Sequence, residues 1–71
     1  MTTMTSTDVP LDADDLRLLR LLSLGLPTDA IARQLHLSDR TVRRRTRAIC
    51  ERLNVSTPIE AVVWAVRHGL L

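Results

Sequence analysis

Five of the eight residues from 40 to 47 are arginine. Four of them follow the spacing i, i+3, i+4, i+7, which places them on one face of a helix, and we call them the arginine stripe: Arg40, Arg43, Arg44 and Arg47. Like charges at this spacing repel each other, and a partner with dense negative charge would offset that cost. Nucleic acid is such a partner, because neutralising its phosphates releases condensed counterions. An ordinary solvated face is the alternative interpretation, and with Asp39 as the one nearby acid we favour nucleic acid.

The charge of the whole chain is unevenly distributed. Residues 1–39 carry six Asp and three Arg, whereas residues 40–71 carry seven Arg and two Glu. All ten basic residues are arginine, whose planar fork of donors suits phosphates and guanine edges. Because genomic base composition can also produce an all-arginine protein, the choice of arginine over lysine is weak evidence by itself.

Length and composition exclude several classes of protein. A chain of 71 residues has room for one small domain, and a single cysteine cannot form an internal disulfide. The first ten residues lack the basic charge and apolar run of a secretory signal. The most apolar stretch, from Leu16 to Leu26, is too short for a membrane span and is interrupted by two arginines. We therefore expect a soluble intracellular domain.

Hydrophobic spacing predicts an all-α domain of four helices, at about 12–24, 28–35, 39–53 and 58–68. No segment shows the alternation of a strand. Residues 1–10 are expected to be a disordered leader, and residues 11–71 to form the domain. Short connections link the helices, which favours a compact helical arrangement.

Local signals predict where the first two helices begin and end. Asp12 can cap the first helix with Asp15 three residues later, and Gly25 can end it in a left-handed conformation. Thr28 is the candidate cap of the second helix. A tight turn at His36-Leu37 then leads into the third helix.

The last two helices carry clearer signals. Ser38 can cap the third helix and Asn54 can close it. The fourth helix opens with Thr57-Pro58-Ile59-Glu60, a capping box with proline at the first helical position.

The third helix has an apolar face opposite the arginine stripe, formed by Val42, Ile49 and Leu53. A short turn joins this basic helix to the helix before it. That arrangement is a helix-turn-helix, whose second helix can lie in the major groove of DNA.

From about residue 11 to residue 71, the sequence resembles the LuxR/NarL-type (GerE-type) DNA-binding domain of bacterial transcription regulators. The resemblance rests on these residues, in order along the chain: Leu11, Leu18-Leu19, Leu22, Gly25-Leu26, Ile31-Ala32, Leu35, Leu37-Ser38, Thr41-Val42, Ile49, Leu53, Val55, Glu60-Ala61, Ala65 and Gly69-Leu70. It implies sequence-specific binding of double-stranded DNA in transcription regulation. It also places the chain in the bacterial cytoplasm, at the nucleoid.

The resemblance further implies which residues contact DNA. Base contacts fall on Arg43, Arg44 and Arg47, and backbone contacts on Ser38, Arg40 and Thr41. The sequence departs from the family at Arg45, where a histidine is usual, and at His36, where a glycine is usual. We expect Arg45 to reach either the DNA backbone or an acid.

Dimerisation is also implied, because the family pairs through its fourth helix. This helix has two apolar rows, and the row assigned to a weak homodimer is Ile59, Val62, Val63 and Val66. The alternative is that so small a domain buries both rows. Family members commonly carry an N-terminal regulatory domain, so the chain is either a fragment or a stand-alone regulator.

A second function class is a protein-interaction module, which would contact a partner regulator or RNA polymerase through the apolar first and fourth helices. Leu16 and Leu24 of the first helix stand at usually polar family positions and favour such a surface. We expect no enzyme activity, cofactor or metal. Cys50 is expected to be a small buried hydrophobe, and His36 and His68 lie too far apart in sequence for a ligand motif.

Overall fold

The computed structural model describes residues 10–71, and within this range it contains four α-helices and no strand. The helices are α1 (Ala13–Ser23), α2 (Thr28–Leu35), α3 (Asp39–Leu53) and α4 (Pro58–Arg67). This confirms the predicted all-α fold, with each boundary within one residue of its prediction. Except for Pro10, the predicted leader lies outside the described residues, and the division into leader and domain stays a prediction.

Two capping boxes begin α1 and α4. The Asp12 carboxylate accepts a hydrogen bond from the Asp15 backbone N–H at 2.9 Å, and Asp15 accepts one from the Asp12 N–H at 3.2 Å. Thr57 and Glu60 make the same exchange at α4, each at 3.2 Å. Helix N-termini leave backbone donors without intrahelical partners, and these side chains satisfy them.

The predicted cap of α2 was wrong by one residue. Pro27, with φ −71° and ψ 162°, occupies the cap position and makes no side-chain cap hydrogen bond, while Thr28 is already helical. The Pro27 carbonyl accepts a hydrogen bond from the Ile31 N–H at 3.1 Å. Proline fixes φ near this value, so the chain enters the helix directly after Pro27 and Thr28 falls in the first turn.

The core lies where α1 and α3 each pack against the other three helices. Its fully buried large side chains are Leu18, Leu19, Ile31, Val42 and Ile49. The predicted apolar face of α3 is therefore buried, and Cys50 is buried beside it, as expected.

An ion pair that the sequence analysis missed joins the start of α1 to the end of α3. The Arg52 guanidinium lies 2.9 Å from the Asp15 carboxylate and also donates to the Pro10 carbonyl at 3.0 Å. Asp15 is only 6% exposed. A buried carboxylate needs such partners because its desolvation is costly.

Arg52→Met should lower the free energy of unfolding by about 1 to 2 kcal/mol, because it leaves the buried Asp15 carboxylate without its cation. Urea unfolding measures this loss. Arg33→Met is the matched control: Arg33 pairs with Asp29 at 3.5 Å, both side chains are exposed, and we expect a loss below about 0.5 kcal/mol. Equal losses in the two variants would contradict the structural role of the Asp15 pair.

The Asp12 cap should make stability depend on pH. The hydrogen bond from the Asp15 backbone N–H, aided by the charge of Arg52, holds the pKa of Asp12 below its ordinary value of 3.8. The ionised cap therefore stabilises the fold fully above pH 3.8, and this contribution is lost as pH falls through the lower folded-state pKa.

Asp12→Asn, which keeps an acceptor oxygen and removes the charge, should be less stable than the wild type at pH 7. The difference should shrink to nothing as Asp12 becomes protonated in acid. Urea unfolding from pH 7 to pH 2 measures it, and a difference that does not change with pH would count against the charged cap.

Candidate nucleic-acid interface

The arginine stripe lies on the outer face of α3. Its four side chains are exposed and together line one shallow surface groove. Val42 and Ile49, on the opposite side of the helix, are buried. The structure therefore brings together the four arginines that the sequence grouped, on a surface that a large ligand can reach.

Ser38 and Thr41 organise the N-terminus of α3. The Ser38 hydroxyl accepts a hydrogen bond from the Thr41 backbone N–H at 3.1 Å and donates to the Thr41 hydroxyl at 3.0 Å. Ser38 is thus the predicted cap, and Arg40 lies in the same first turn. A helix N-terminus with its backbone N–H groups and dipole favours an anion, so these residues suit a phosphate.

The turn between α2 and α3 depends on a left-handed residue. His36 has φ 57° and ψ 44°, and the next residue, Leu37, donates its backbone N–H to the Ala32 carbonyl at 2.9 Å. This hydrogen bond caps the C-terminus of α2 directly after His36. The chain is then free to begin α3 with Ser38 as its N-cap. Histidine adopts here a conformation that glycine would adopt at less cost, consistent with the departure noted from the sequence.

Arg45 lies on a different side of α3 from the arginine stripe. It is half-buried and lines a groove with Asp14 and Arg17 of α1 and with Leu35 and Leu37. The sequence indicates that Arg45 lies on the same flank of α3 as Arg52, because the two residues are seven positions apart. Arg52 pairs with Asp15 of α1. That flank faces α1.

The opposite flank of α3 borders the starts of α2 and α4. A groove there is lined by Thr28, Arg43, Thr46, Arg47, Cys50, Ser56 and Pro58. Burial raises the pKa of the Cys50 thiol, aided by the charges of Glu60 and Glu51, so the thiol stays protonated at neutral pH. A protonated, buried thiol is a poor nucleophile, which fits a packing role.

The fourth helix has one buried and one exposed apolar row. Ala61 and Ala65 are fully buried, whereas Ile59, Val63 and Val66 are 65%, 43% and 54% exposed. Val62 is half-buried against the core. The alternative, that so small a domain buries both apolar rows of α4, is therefore wrong for three residues of the second row, which we call the outer row: Ile59, Val63 and Val66.

Leu16 of α1 and Leu24, the residue that caps the C-terminus of α1, differ in their surroundings. Leu24 is exposed, but Leu16 packs against the core and offers little surface to a partner. On α4, Trp64 is half-buried and stacks on His68 with ring centroids 3.8 Å apart.

Comparison with protein families matches residues 13–65 to the bacterial regulatory proteins of the luxR family. The chain belongs to the LuxR family. It is also 31% identical over 62 residues to YxjL of Bacillus subtilis (strain 168), described as an uncharacterized transcriptional regulatory protein. That alignment covers 87% of this chain and 28% of the relative. No solved structure matches the chain significantly.

Membership in the LuxR family makes this chain a DNA-binding domain of transcription regulation, in a family of regulators rather than of enzymes. In the part of the chain that the structure describes, no helix is both long and apolar enough to cross a membrane. Residues 10–71 also contain no cluster of three or more His, Cys, Asp or Glu side chains arranged to hold a metal ion.

Proposed function

We propose that this LuxR-family domain binds double-stranded DNA sequence-specifically, with α3 in the major groove, and regulates transcription in the bacterial cytoplasm. The observation that carries the proposal is the exposed arginine stripe on a helix whose opposite face is buried. An α-helix with its side chains is about 10–12 Å across, and the major groove is about 12 Å wide. The exposed face of α3 can therefore enter the groove.

Within this proposal Arg43, Arg44 and Arg47 contact bases. Arginine donates two parallel hydrogen bonds to the O6 and N7 atoms of guanine, and each such pair discriminates against the wrong base by about 1–3 kcal/mol. We therefore expect guanine-containing half-sites. All three side chains are exposed, so they can reach a base edge without rearrangement of the core.

Ser38, Arg40, Thr41 and Arg45 contact the DNA backbone in the same proposal. The hydrogen-bonded pair Ser38 and Thr41 places hydroxyls and backbone donors at the N-terminus of α3. Contacts to phosphates carry no sequence information, but they set the orientation of the helix in the groove.

We also propose that two copies pair weakly through α4, using Ile59, Val62, Val63 and Val66. The exposure of three of these apolar side chains supports the pairing, since burying them would remove apolar surface from water. Two-fold pairing would require inverted half-sites about one helical turn apart. A regulatory domain outside this chain would assist it.

The second candidate function is a protein-interaction module that contacts a partner regulator or RNA polymerase. The exposure of Leu24, together with the outer row of α4, supports it. That function does not require an arginine stripe on α3, which is why we favour DNA binding.

Fluorescence anisotropy on random double-stranded DNA, measured across a salt series, tests DNA binding. The wild type should lose affinity steeply as salt rises, because each neutralised phosphate contributes about 0.9 to the logarithmic slope. The triple variant Arg43→Ala, Arg44→Ala, Arg47→Ala should lose most of this binding. Absence of binding at low salt would refute the proposal in favour of the interaction module.

The single variant Arg44→Ala separates base readout from phosphate binding on a site selected from the same pool. We expect it to weaken the selected site about tenfold or more and random DNA far less. Equal losses on both DNAs would show that Arg44 does not contact bases.

Val63→Glu tests pairing, because it places a charge in the exposed row of α4. It should weaken binding to a DNA with two half-sites about fivefold to tenfold and leave a single half-site unaffected. Leu24→Glu, which adds the same charge at the exposed leucine directly after α1, is the control and should bind both DNAs normally. If the Val63 variant binds the DNA with two half-sites as tightly as the wild type does, the proposed pairing through α4 is wrong.

A further inference from the structure

The flank of α3 that faces α1 carries a basic site outside the arginine stripe. Arg45 of α3 and Arg17 of α1 line the same shallow groove. Arg17 is exposed and Arg45 is half-buried, so a ligand lying along this edge of α3 can reach both residues. The two arginines are 28 positions apart in sequence, and the packing of α1 on α3 brings them together.

Neither arginine forms an ion pair within residues 10–71. The ion pairs in this range are Arg33 with Asp29 and Arg52 with Asp15. Asp14 lines the same groove but forms no ion pair with either arginine. The groove therefore contains two guanidinium groups and one carboxylate, and its net positive charge attracts an anion.

We propose that Arg17 and Arg45 together bind one phosphate of the DNA backbone at the edge of the major groove. This inference rests on the proposed function and extends the interface from α3 to α1. A helix nearly as wide as the groove that it enters places its flanks against the groove walls, and those walls are the two phosphate backbones. Arg45 lies on such a flank, and Arg17 faces it from the neighbouring helix.

The surroundings of this site favour a phosphate of DNA over an acidic protein surface. Two residues that line this groove are neighbours in sequence of proposed DNA contacts, because Arg45 directly follows Arg44 and Leu37 directly precedes Ser38. Leu35 and Leu37 give it an apolar lining, along which the arginine stems can pack while their charged ends reach outward. Partial exclusion of water by these leucines strengthens a guanidinium–phosphate contact.

Arg17→Ala in the wild-type chain tests the site, with Arg20→Ala as a control matched in charge. Arg20 is exposed on the same helix but lies outside the groove that contains Arg45. We expect Arg17→Ala to weaken binding to random double-stranded DNA about threefold to tenfold at about 0.1 M salt. The logarithmic salt slope should fall by less than about 0.9, the value for one whole phosphate, because Arg45 still contacts that phosphate. Arg20→Ala should leave the slope unchanged.

The double variant Arg17→Ala, Arg45→Ala shows whether the two side chains share one phosphate. Its loss should be smaller than the product of the two single fold-losses, because residues that act on one group are not additive. Thermal unfolding of each variant checks that the fold is intact.

Equal behaviour of the Arg17 and Arg20 variants would overturn the inference, since it would mean that α1 contributes only net charge. If that happens while binding still depends on the arginine stripe, the proposed function stands and only the α1 contact fails. If the wild type shows no salt-dependent binding, the proposed function fails and this inference fails with it. Weaker binding of an acidic protein partner by Arg17→Ala, with DNA binding unchanged, would assign the groove to that partner instead.

Discussion

The rest of the structure depends on the division of α3 into an apolar side and a cationic side. Val42, Ile49 and Leu53 are buried, and burying them turns the arginine stripe toward the solvent. An isolated helix with this sequence would suffer repulsion between its arginines, so packing by its neighbours must hold it together. The core therefore both stabilises α3 and sets the direction in which its charges point.

On the flank of α3 that faces α1, two residues of the same type, both arginine, have different roles. Arg45 and Arg52 lie seven residues apart on this flank. Arg52 is held by the buried Asp15 carboxylate and the Pro10 carbonyl, and so it is part of the scaffold. Arg45 has no such partner among residues 10–71, and its charge is free to meet a ligand. The position of the acids on α1 decides between these roles.

Structural features that depend on interactions between residues no more than about four positions apart could be predicted from the sequence. The caps at Asp12 and Ser38 and the left-handed residue at Asn54 follow from local hydrogen bonding and backbone sterics, and the structure confirms them. Pro27 was missed as the cap of α2, because the hydroxyl of Thr28 gave a stronger local signal than a proline with no side-chain donor or acceptor.

Features that depend on how helices cross could not be predicted. The pair of Asp15 and Arg52 joins residues 37 positions apart, and no spacing rule within one helix indicates it. The exposure of Ile59 and Val66 depends on how many neighbours α4 has, which a single amphipathic pattern does not reveal. The individual DNA contacts stay predictions, because they depend on the base edges and shape of the DNA as well as on this chain.

The absence of lysine from the sequence has a consequence for control of the outer face of α3, the proposed DNA-binding surface. Acetylation neutralises lysine side chains, and this chain has none to modify. The positive charge of the outer face of α3 is therefore insensitive to lysine acetylation and to the metabolic supply of acetyl groups. Control of this face therefore acts on something other than lysine charge, such as the position in which the face is held.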